Sequence, residues 1–589
     1  MADIKQLITE HIDIWTAADT EKKSGRGRAS GTAGSVYGVK KLRELILELA
    51  VRGKLVPQDR SDEPASELLK RIKAEKAKLI AEGKLKKEKP LALIGEDEKP
   101  FELPNEWEWV RLQDVYDVRD GTHDTPKYTE TGFPLVTSKN LYSGNLDFSD
   151  IKYISEQDHL KIKERSKVDK GDILFAMIGS IGNPVIVDTD VEFSIKNVAL
   201  FKPYSDHHSN TSYLLKYLIK AAINLREEAA GAVQSFVSLG VIRNYLIPLP
   251  PLTEQHRIVA KVDELMALCD QLEQQHSNAQ EAHETLVTQL LATLTQSQNA
   301  AEFNTNWQRI YAHFDVLFTT EASIDALKQT LLQLAVMGKL VPQDPFDEPA
   351  SELLKRIQAE KAKLIAEGKL KKEKPLSPIG EDEKPFELPK GWEWVRLELL
   401  ANLITKGSSP KWQGVNYTEN TNEVLFVTSE NVGSYCLLLD TPKFVESKFN
   451  EIEPRSILQK GDYLMNIVGA SIGRTAVFDR DDVANINQAV CLIRVGCDEL
   501  VKAFLLHFFN SETCLAYMFD KQVDNARPNL SMGNIAKFLI PVPPIKEQHR
   551  IVDKVNALMA LCDHLKTRIQ QANQQQQVIA DALVAQAVA

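Results

Sequence analysis

Ile247-Pro-Leu-Pro-Pro-Leu-Thr-Glu-Gln-His-Arg-Ile-Val259 returns almost unchanged as Ile540-Pro-Val-Pro-Pro-Ile-Lys-Glu-Gln-His-Arg-Ile-Val552. The prolines end an extended run, and a helical pattern starts directly after them. In the first copy Ile258, Val262, Leu265, Cys269 and Leu272 recur at spacings of four and three. In the second, Ile551, Val555, Leu558, Cys562, Leu565 and Ile569 do the same. A 3.5-residue period predicts a coiled-coil seam, with Cys269 and Cys562 as small buried hydrophobes. A helix from about residue 254 to 297 would be roughly 65 Å long, too long to pack on one small domain. Two such helices can pair antiparallel and hold globular domains apart; the alternative is two unrelated bundle helices.

The repeat extends further. Ala50 to Leu112 matches Ala335 to Leu397 at a constant offset, with 55 of 63 positions identical. Past Leu112 the copies diverge but stay in step. Lys170-Gly-Asp172 answers Lys460-Gly-Asp462, Ser180-Ile-Gly182 answers Ser471-Ile-Gly473, and Ala267-Leu-Cys-Asp270 matches Ala560-Leu-Cys-Asp563. Each half is therefore a near-identical helical segment, a divergent globular segment and a near-identical helix. Similar surfaces are expected to meet the same partner twice, or each other; divergent surfaces are expected to meet two different ligands. Two like halves in one chain predict pseudo-twofold symmetry.

The expected organisation is a helical scaffold over 1–104, a variable domain over 105–252, a spacer helix over 253–298, a linker with the repeated helical segment over 299–389, a second variable domain over 390–545 and a second spacer helix over 546–589. Helices are predicted at 41–52 and, with Pro64 in the first turn, at 64–88, ending near Gly83. Residues 17–38 read as flexible and 89–104 as an extended connection. The variable domains read as mixed α/β. Asp172–Gly179 and Asp462–Gly469 are predicted buried strands, Val185–Val187 and Ala476–Phe478 their returning partners, and Tyr213–Ala230 and Leu500–Phe519 helices.

Composition bounds the function. With 589 residues, 43% hydrophobic and 26% charged, the chain is ordinarily globular. It has no apolar run of ~18–20 residues, and its N-terminus lacks the pattern of a secretory signal. Six cysteines without a Cys-x-x-Cys argue against a disulfide framework or zinc ribbon, so a reducing cytoplasm is expected. The net charge of −11 does not advertise nucleic-acid binding. There is no P-loop, no Asn/Asp-Pro-Pro-Tyr/Phe motif and no His-Glu-x-x-His. Asp97-Glu98-Lys99 and Asp382-Glu383-Lys384 read as solvated charge runs rather than nuclease metal sites. His256 and His549 read as caps or interface residues rather than catalytic groups.

Two variable domains, each closed by an Ile-Pro-x-Pro-Pro-x-x-Glu-Gln-x-Arg-Ile-Val segment that runs into a long helix, resemble the specificity subunit of type I restriction–modification enzymes. The resemblance covers nearly the whole chain; the duplicated N-terminal helical segment is less universal in that family. It implies an α/β (α+β) fold with two target recognition domains separated by long antiparallel coiled-coil helices. Each domain would read one half of a split, asymmetric site in double-stranded DNA. Two methyltransferase subunits, using S-adenosylmethionine, would dock on the scaffold. Two restriction subunits would add ATP- and Mg-dependent translocation and cleavage. The chain itself would hold no cofactor, metal or catalytic site.

Base reading needs donors and acceptors at the base edges and cations for the phosphates. The candidate loops are Gly121–Lys127, Thr137–Asn140 and Gln234–Ser238 in the first domain. In the second they are Lys406–Lys411, Thr428–Asn431, Gly469–Arg474 and Asn525–Ser531. The candidate DNA-binding residues are Lys127, Lys139, Asn140, Gln234, Ser235, Lys411, Arg474, Arg527 and Asn529. Arg474 and Arg527 could fork onto guanine or grip phosphate. Domains docked on one face of the duplex would place half-site centres about 10 base pairs apart. The competing readings are a duplicated protein-binding adaptor, which the acidic charge suits, and an enzyme with an unrecognised site.

Overall fold

The computed structural model describes residues 4–17, 36–86, 91–142, 144–205, 207–229, 236–298, 300–370, 378–496, 501–520 and 530–588. The chain forms two compact units, residues 1–279 with 572–589, and residues 280–571. The predicted flexible stretch 17–38 falls mostly outside the described residues; at its end Tyr37 already starts a helix.

Each unit holds one variable domain, and the two domains share one topology. In the first, an antiparallel sheet has the spatial order Tyr116–Asp120, Val198–Pro203, Ile173–Ala176, Gly182–Ile186. A second sheet runs Tyr128–Thr129, Lys152–Ile154, Phe133–Val136, Ser194–Ile195, with its last pair parallel. The second domain repeats this with Ala401–Lys406, Val490–Val495, Asp462–Asn466, Thr475–Phe478 and with Tyr417–Thr418, Phe444–Val445, Val424–Val427, Ala484–Ile486. The predicted strand pairs are therefore present. The Lys-Gly-Asp turns explain their own residues. Asp172 and Asp462 are buried and accept the backbone N–H of Asp169 and Gln459, both at 2.7 Å. Lys202 pairs with Asp172, and Arg494 forks onto Asp462 at 2.7 Å, tying each turn to the central strand.

The helix of the first domain, Thr211–Ala229, is continuous as expected. In the second domain the expected helix over Leu500–Phe519 is two, Lys502–Phe509 and Glu512–Asp520. The break lies at Asn510-Ser511. The Asn510 amide donates to the Thr475 carbonyl at 3.0 Å, and the Ser511 hydroxyl donates to the Phe508 carbonyl, which terminates the first helix.

Both predicted long helices are present, Leu252–Gln296 and Ile545–Val588. The duplicated helical segment, whose role the sequence leaves open, fills their seams. In the first unit Ile258, Val262, Leu265 and Cys269 share a core with Leu42, Leu45, Ile46 and Leu49 of the helix Tyr37–Val51. In the second, Cys562, Leu558 and Leu565 meet Leu327, Leu331 and Leu334 of the helix Glu321–Val336. Directions follow from the polar contacts. Gln58 lies beside Glu254 and Arg43 beside Glu273, so the first long helix runs against the duplicated helix. Tyr37 lies beside Asp581 and Lys54 beside the Val588 carbonyl, so the end of the second long helix runs with it. The two long helices are antiparallel in this unit. The second unit repeats the pattern through Gln343–Glu547, Lys328–Asp563 and Lys339 to the Thr295 carbonyl. The second duplicated helices, Ala65–Ala81 and Ala350–Ala366, start one residue after Pro64 and Pro349, which sit at the N-cap rather than in the first turn.

The domains join the scaffold at one knot. The first and last strands of each domain pair, Glu108–Arg111 with Leu246–Leu249 and Glu393–Arg396 with Leu539–Val542, so both ends of the domain leave from one place. There Glu254, buried, accepts the Trp107 indole N–H at 3.0 Å and the Gln58 amide at 3.1 Å. Glu547 does the same with Trp392 and Gln343 at 3.1 and 3.2 Å. Gln255 and Gln548 donate to the carbonyls of Pro250 and Pro543, both at 2.9 Å. Arg257 and Arg550 reach Asp62 and Asp347. Gly53 (φ +67°) and Gly338 (φ +69°) turn the chain under the indole, where a Cβ would lie 2.5 Å from Pro104 or Pro389. His256 is exposed and bonds Asn210 at 3.2 Å, an interface role.

Burial holds the Glu254 carboxyl above the ordinary carboxylate range, against the pull of Gln58 and Trp107. The folded chain therefore binds this proton more readily than the unfolded chain. The stability it contributes is full below the ordinary value and is lost as pH rises through the folded one. Glu254→Gln removes that pH dependence but turns an amide nitrogen toward one of two donors in a dry site. We expect a loss of about 1–3 kcal/mol, read by denaturant unfolding of the first unit at neutral pH. Unchanged stability would contradict the knot's role.

Candidate nucleic-acid interface

Backbone hydrogen bonds stitch the predicted loops into one edge of each variable domain. In the first, Thr122 N–H donates to the Ile195 carbonyl at 3.0 Å, Lys196 to Val136 at 2.9 Å, Met177 to Asn197 at 3.3 Å and Val237 to Met177 at 2.9 Å. The loops that follow strands 116–120, 133–136 and 173–176 thus converge with 195–197 and 236–238. In the second, Asn487 donates to Val427 at 3.1 Å, Ile467 to Ala489 at 3.0 Å and Leu530 to Ile467 at 3.1 Å. The Asn466 amide reaches the Ser429 and Val432 carbonyls, and its backbone N–H reaches Arg474. Gly121 and Gly407 let the first loop in: a Cβ would stand 2.2 Å from the Ile195 carbonyl oxygen and 1.8 Å from that of Ile486.

The candidate residues divide into three groups. Lys127, Lys139, Lys411 and Arg474 are exposed on this edge, and none makes an ion pair with a described residue. Asn140 is buried and its amide is used inside the domain. It accepts from Thr137 N–H at 2.9 Å and donates to the Asp147 carbonyl at 3.0 Å. Asn431 repeats both bonds with Thr428 and Leu438. Thr-Ser-x-Asn is therefore a loop-building motif, and the residue inside it is what varies: Lys139 in one domain, Glu430 in the other, the latter paired with Lys443 at 2.9 Å. Gln234, Ser235, Arg527 and Asn529 lie outside the described residues.

Two features of the edge were not singled out from the sequence. Tyr142 and Trp412 are 76% and 75% exposed, unusual for such large apolar rings. Tyr142 sits two residues after Asn140, and Trp412 directly follows Lys411; an aromatic beside a cation in a polar loop was the available signal. Cations to hold phosphates and rings to meet bases or sugars make this edge chemically suited to a nucleic acid. Glu98 and Glu383 are not merely solvated, as the sequence reading had them. Each forks onto a buried arginine of the first domain strand, Arg111 or Arg396, at 2.9–3.1 Å. Among the described residues no group of three His, Cys, Asp or Glu is placed to hold a metal, and no helix is long and apolar enough to cross a membrane.

Residues 104–281 and 389–574 both match the family described as the type I restriction modification DNA specificity domain. Each match spans one variable domain and the first part of the long helix after it. The chain belongs to this family of type I restriction specificity subunits. It is 40% identical to the Type I restriction enzyme EcoAI specificity subunit of Escherichia coli, over 99% of this chain and the whole of that one. It is 41% identical to the EcoEI specificity subunit of Escherichia coli, over 98% of this chain and 99% of the relative. A crystal structure of the HsdS subunit from Thermoanaerobacter tengcongensis is similar at 20% identity with a TM-score of 0.37, covering 83% of this chain and 98% of that one. Family membership supports DNA recognition over the adaptor reading.

Lys127→Ala and Lys139→Ala are each expected to weaken DNA binding and to lower the slope of log K against log salt by about one. Asn140→Ala should instead lower the melting temperature and leave the slope unchanged. Fluorescence anisotropy over a salt series, paired with thermal unfolding, separates the two effects. A slope unmoved by both lysine variants would remove them from the interface.

Proposed function

We propose that each variable domain reads one half of a split, asymmetric site in double-stranded DNA. The observation that carries this reading is the pairing of sameness and difference. Two domains of one topology present the same stitched loop edge, yet differ in the residues they carry there, as Lys139 and Glu430 do. Different half-sites follow from different edges; a fixed separation follows from a repeated scaffold. Cations without an ion-pair partner among the described residues at the edge, Lys127 and Lys139 in one domain and Lys411 and Arg474 in the other, reconcile DNA binding with a net charge of −11.

The chain contributes recognition and no catalysis of its own. Two methyltransferase subunits dock on the duplicated scaffold and place S-adenosylmethionine over adenine, and two restriction subunits supply ATP- and Mg-dependent translocation and cleavage. The assembly works in the cytoplasm. Two like scaffold halves support a stoichiometry of two.

The test is methylation mapping. The chain is expressed with the methyltransferase subunit from its own operon, and host DNA is sequenced for N6-methyladenine. A single two-part asymmetric motif is expected. A stable complex that leaves no motif would move the assignment to the adaptor reading.

A further inference from the structure

The duplicated segment has drifted at eight positions between its two copies, and among the described residues the substitutions fall on exposed or half-exposed positions such as Ser61/Phe346, Lys73/Gln358 and Leu93/Pro378. Four of the eight, at 92, 93, 105 and 106, cluster about one feature, and of these only Asn105, which is Lys390 in the second copy, takes part in its lining. Residues 94–104 and 107–112 are identical to 379–389 and 392–397. Between these two stretches lies an open groove of about 650 Å³. Ile94, Phe101 and Trp109 form its apolar lining, and Glu102 and Glu108 stand at its rim.

The ring pair at its centre is built the same way twice. Phe101 and Trp109 meet edge to face at 5.0 Å and 62°, and Phe386 and Trp394 at 5.1 Å and 60°. Internal packing accounts for these rings, for Trp107 at the knot and for Glu98 on Arg111. It does not account for Glu102 and Glu108, or for Glu387 and Glu393. All four are exposed, and none makes an ion pair or hydrogen bond through its side chain with a described residue. The same exposed carboxylates therefore stand beside the same ring pair in both units, next to two domains that have diverged.

We infer that this groove is a docking site, present once per unit, for an extended cationic segment of the methyltransferase subunit. An aliphatic or aromatic side chain of that segment would lie on Phe101 and Trp109. Flanking Lys or Arg residues would pair with Glu102 and Glu108. The carboxylate rim selects against DNA, whose phosphates it repels, and for a basic peptide. The inference rests on the proposed function for the identity of the partner and adds the place where that partner is held.

The experiment uses the full chain co-expressed with its methyltransferase subunit and native mass spectrometry of the purified complex. The unaltered chain should carry two copies. Glu102→Lys with Glu108→Lys should leave one, Glu387→Lys with Glu393→Lys should leave one, and all four together none, with affinity at an altered groove falling at least tenfold. Because the four residues are exposed, melting temperatures should stay unchanged; a variant that melts early is replaced by the corresponding Gln pair, for which a smaller loss of affinity is expected. Two copies on the fourfold variant would overturn the groove while leaving the proposed function intact. No copies on the unaltered chain would overturn both.

Discussion

A carboxylate buried at the first turn of a long helix holds each half together. Glu254 and Glu547 each receive an indole from the start of a variable domain and an amide from the loop after the duplicated helix. Three parts of the chain about 50 to 200 residues apart in sequence meet on one side chain. Burying the charge is costly, and only a filled set of donors makes it tolerable. That requirement fixes Trp107, Gln58, the positive-φ glycine beneath them and the proline pair ahead of the helix. The near-identity of these residues in both halves has this physical cause.

The knot also separates two design problems. Paired first and last strands bring both ends of a variable domain to the knot. The loops at the stitched edge can then change without disturbing the scaffold. Asn140 and Asn431 hold one loop shape, while the neighbouring Lys139 and Glu430 differ in charge. A chain of this kind can acquire a new half-site by changing one domain while the knot beneath it stays as it is.

Much of this was legible in the sequence because repeats and local chemistry carry it. The Lys-Gly-Asp strand turns, the proline-to-helix junctions and the 3.5-residue seams depend on neighbours along the chain. What escaped depends on groups brought together from afar. The seam pattern announces an apolar cover but does not say that Leu42 and Leu45 supply it alongside the other long helix. The helix break at Asn510 depends on a carbonyl of Thr475. The role of Asn140 depends on where the Asp147 carbonyl lies. Lys127, Lys139, Lys411 and Arg474 could be nominated as candidates because a cation in a polar loop is a local signal. Trp412 was passed over because an aromatic is expected to be buried, and only the fold reveals that it is not.

The central claim is that reading belongs to the variable domains and spacing to the scaffold. It is tested most directly by exchanging residues 105–250 for the equivalent domain of another such chain, keeping Gln58 and Glu254, and comparing the methylated motifs. One half-site should change, while the other half and the number of bases between them stay fixed. A motif altered in both halves or in its spacing, or left unchanged, would contradict the account.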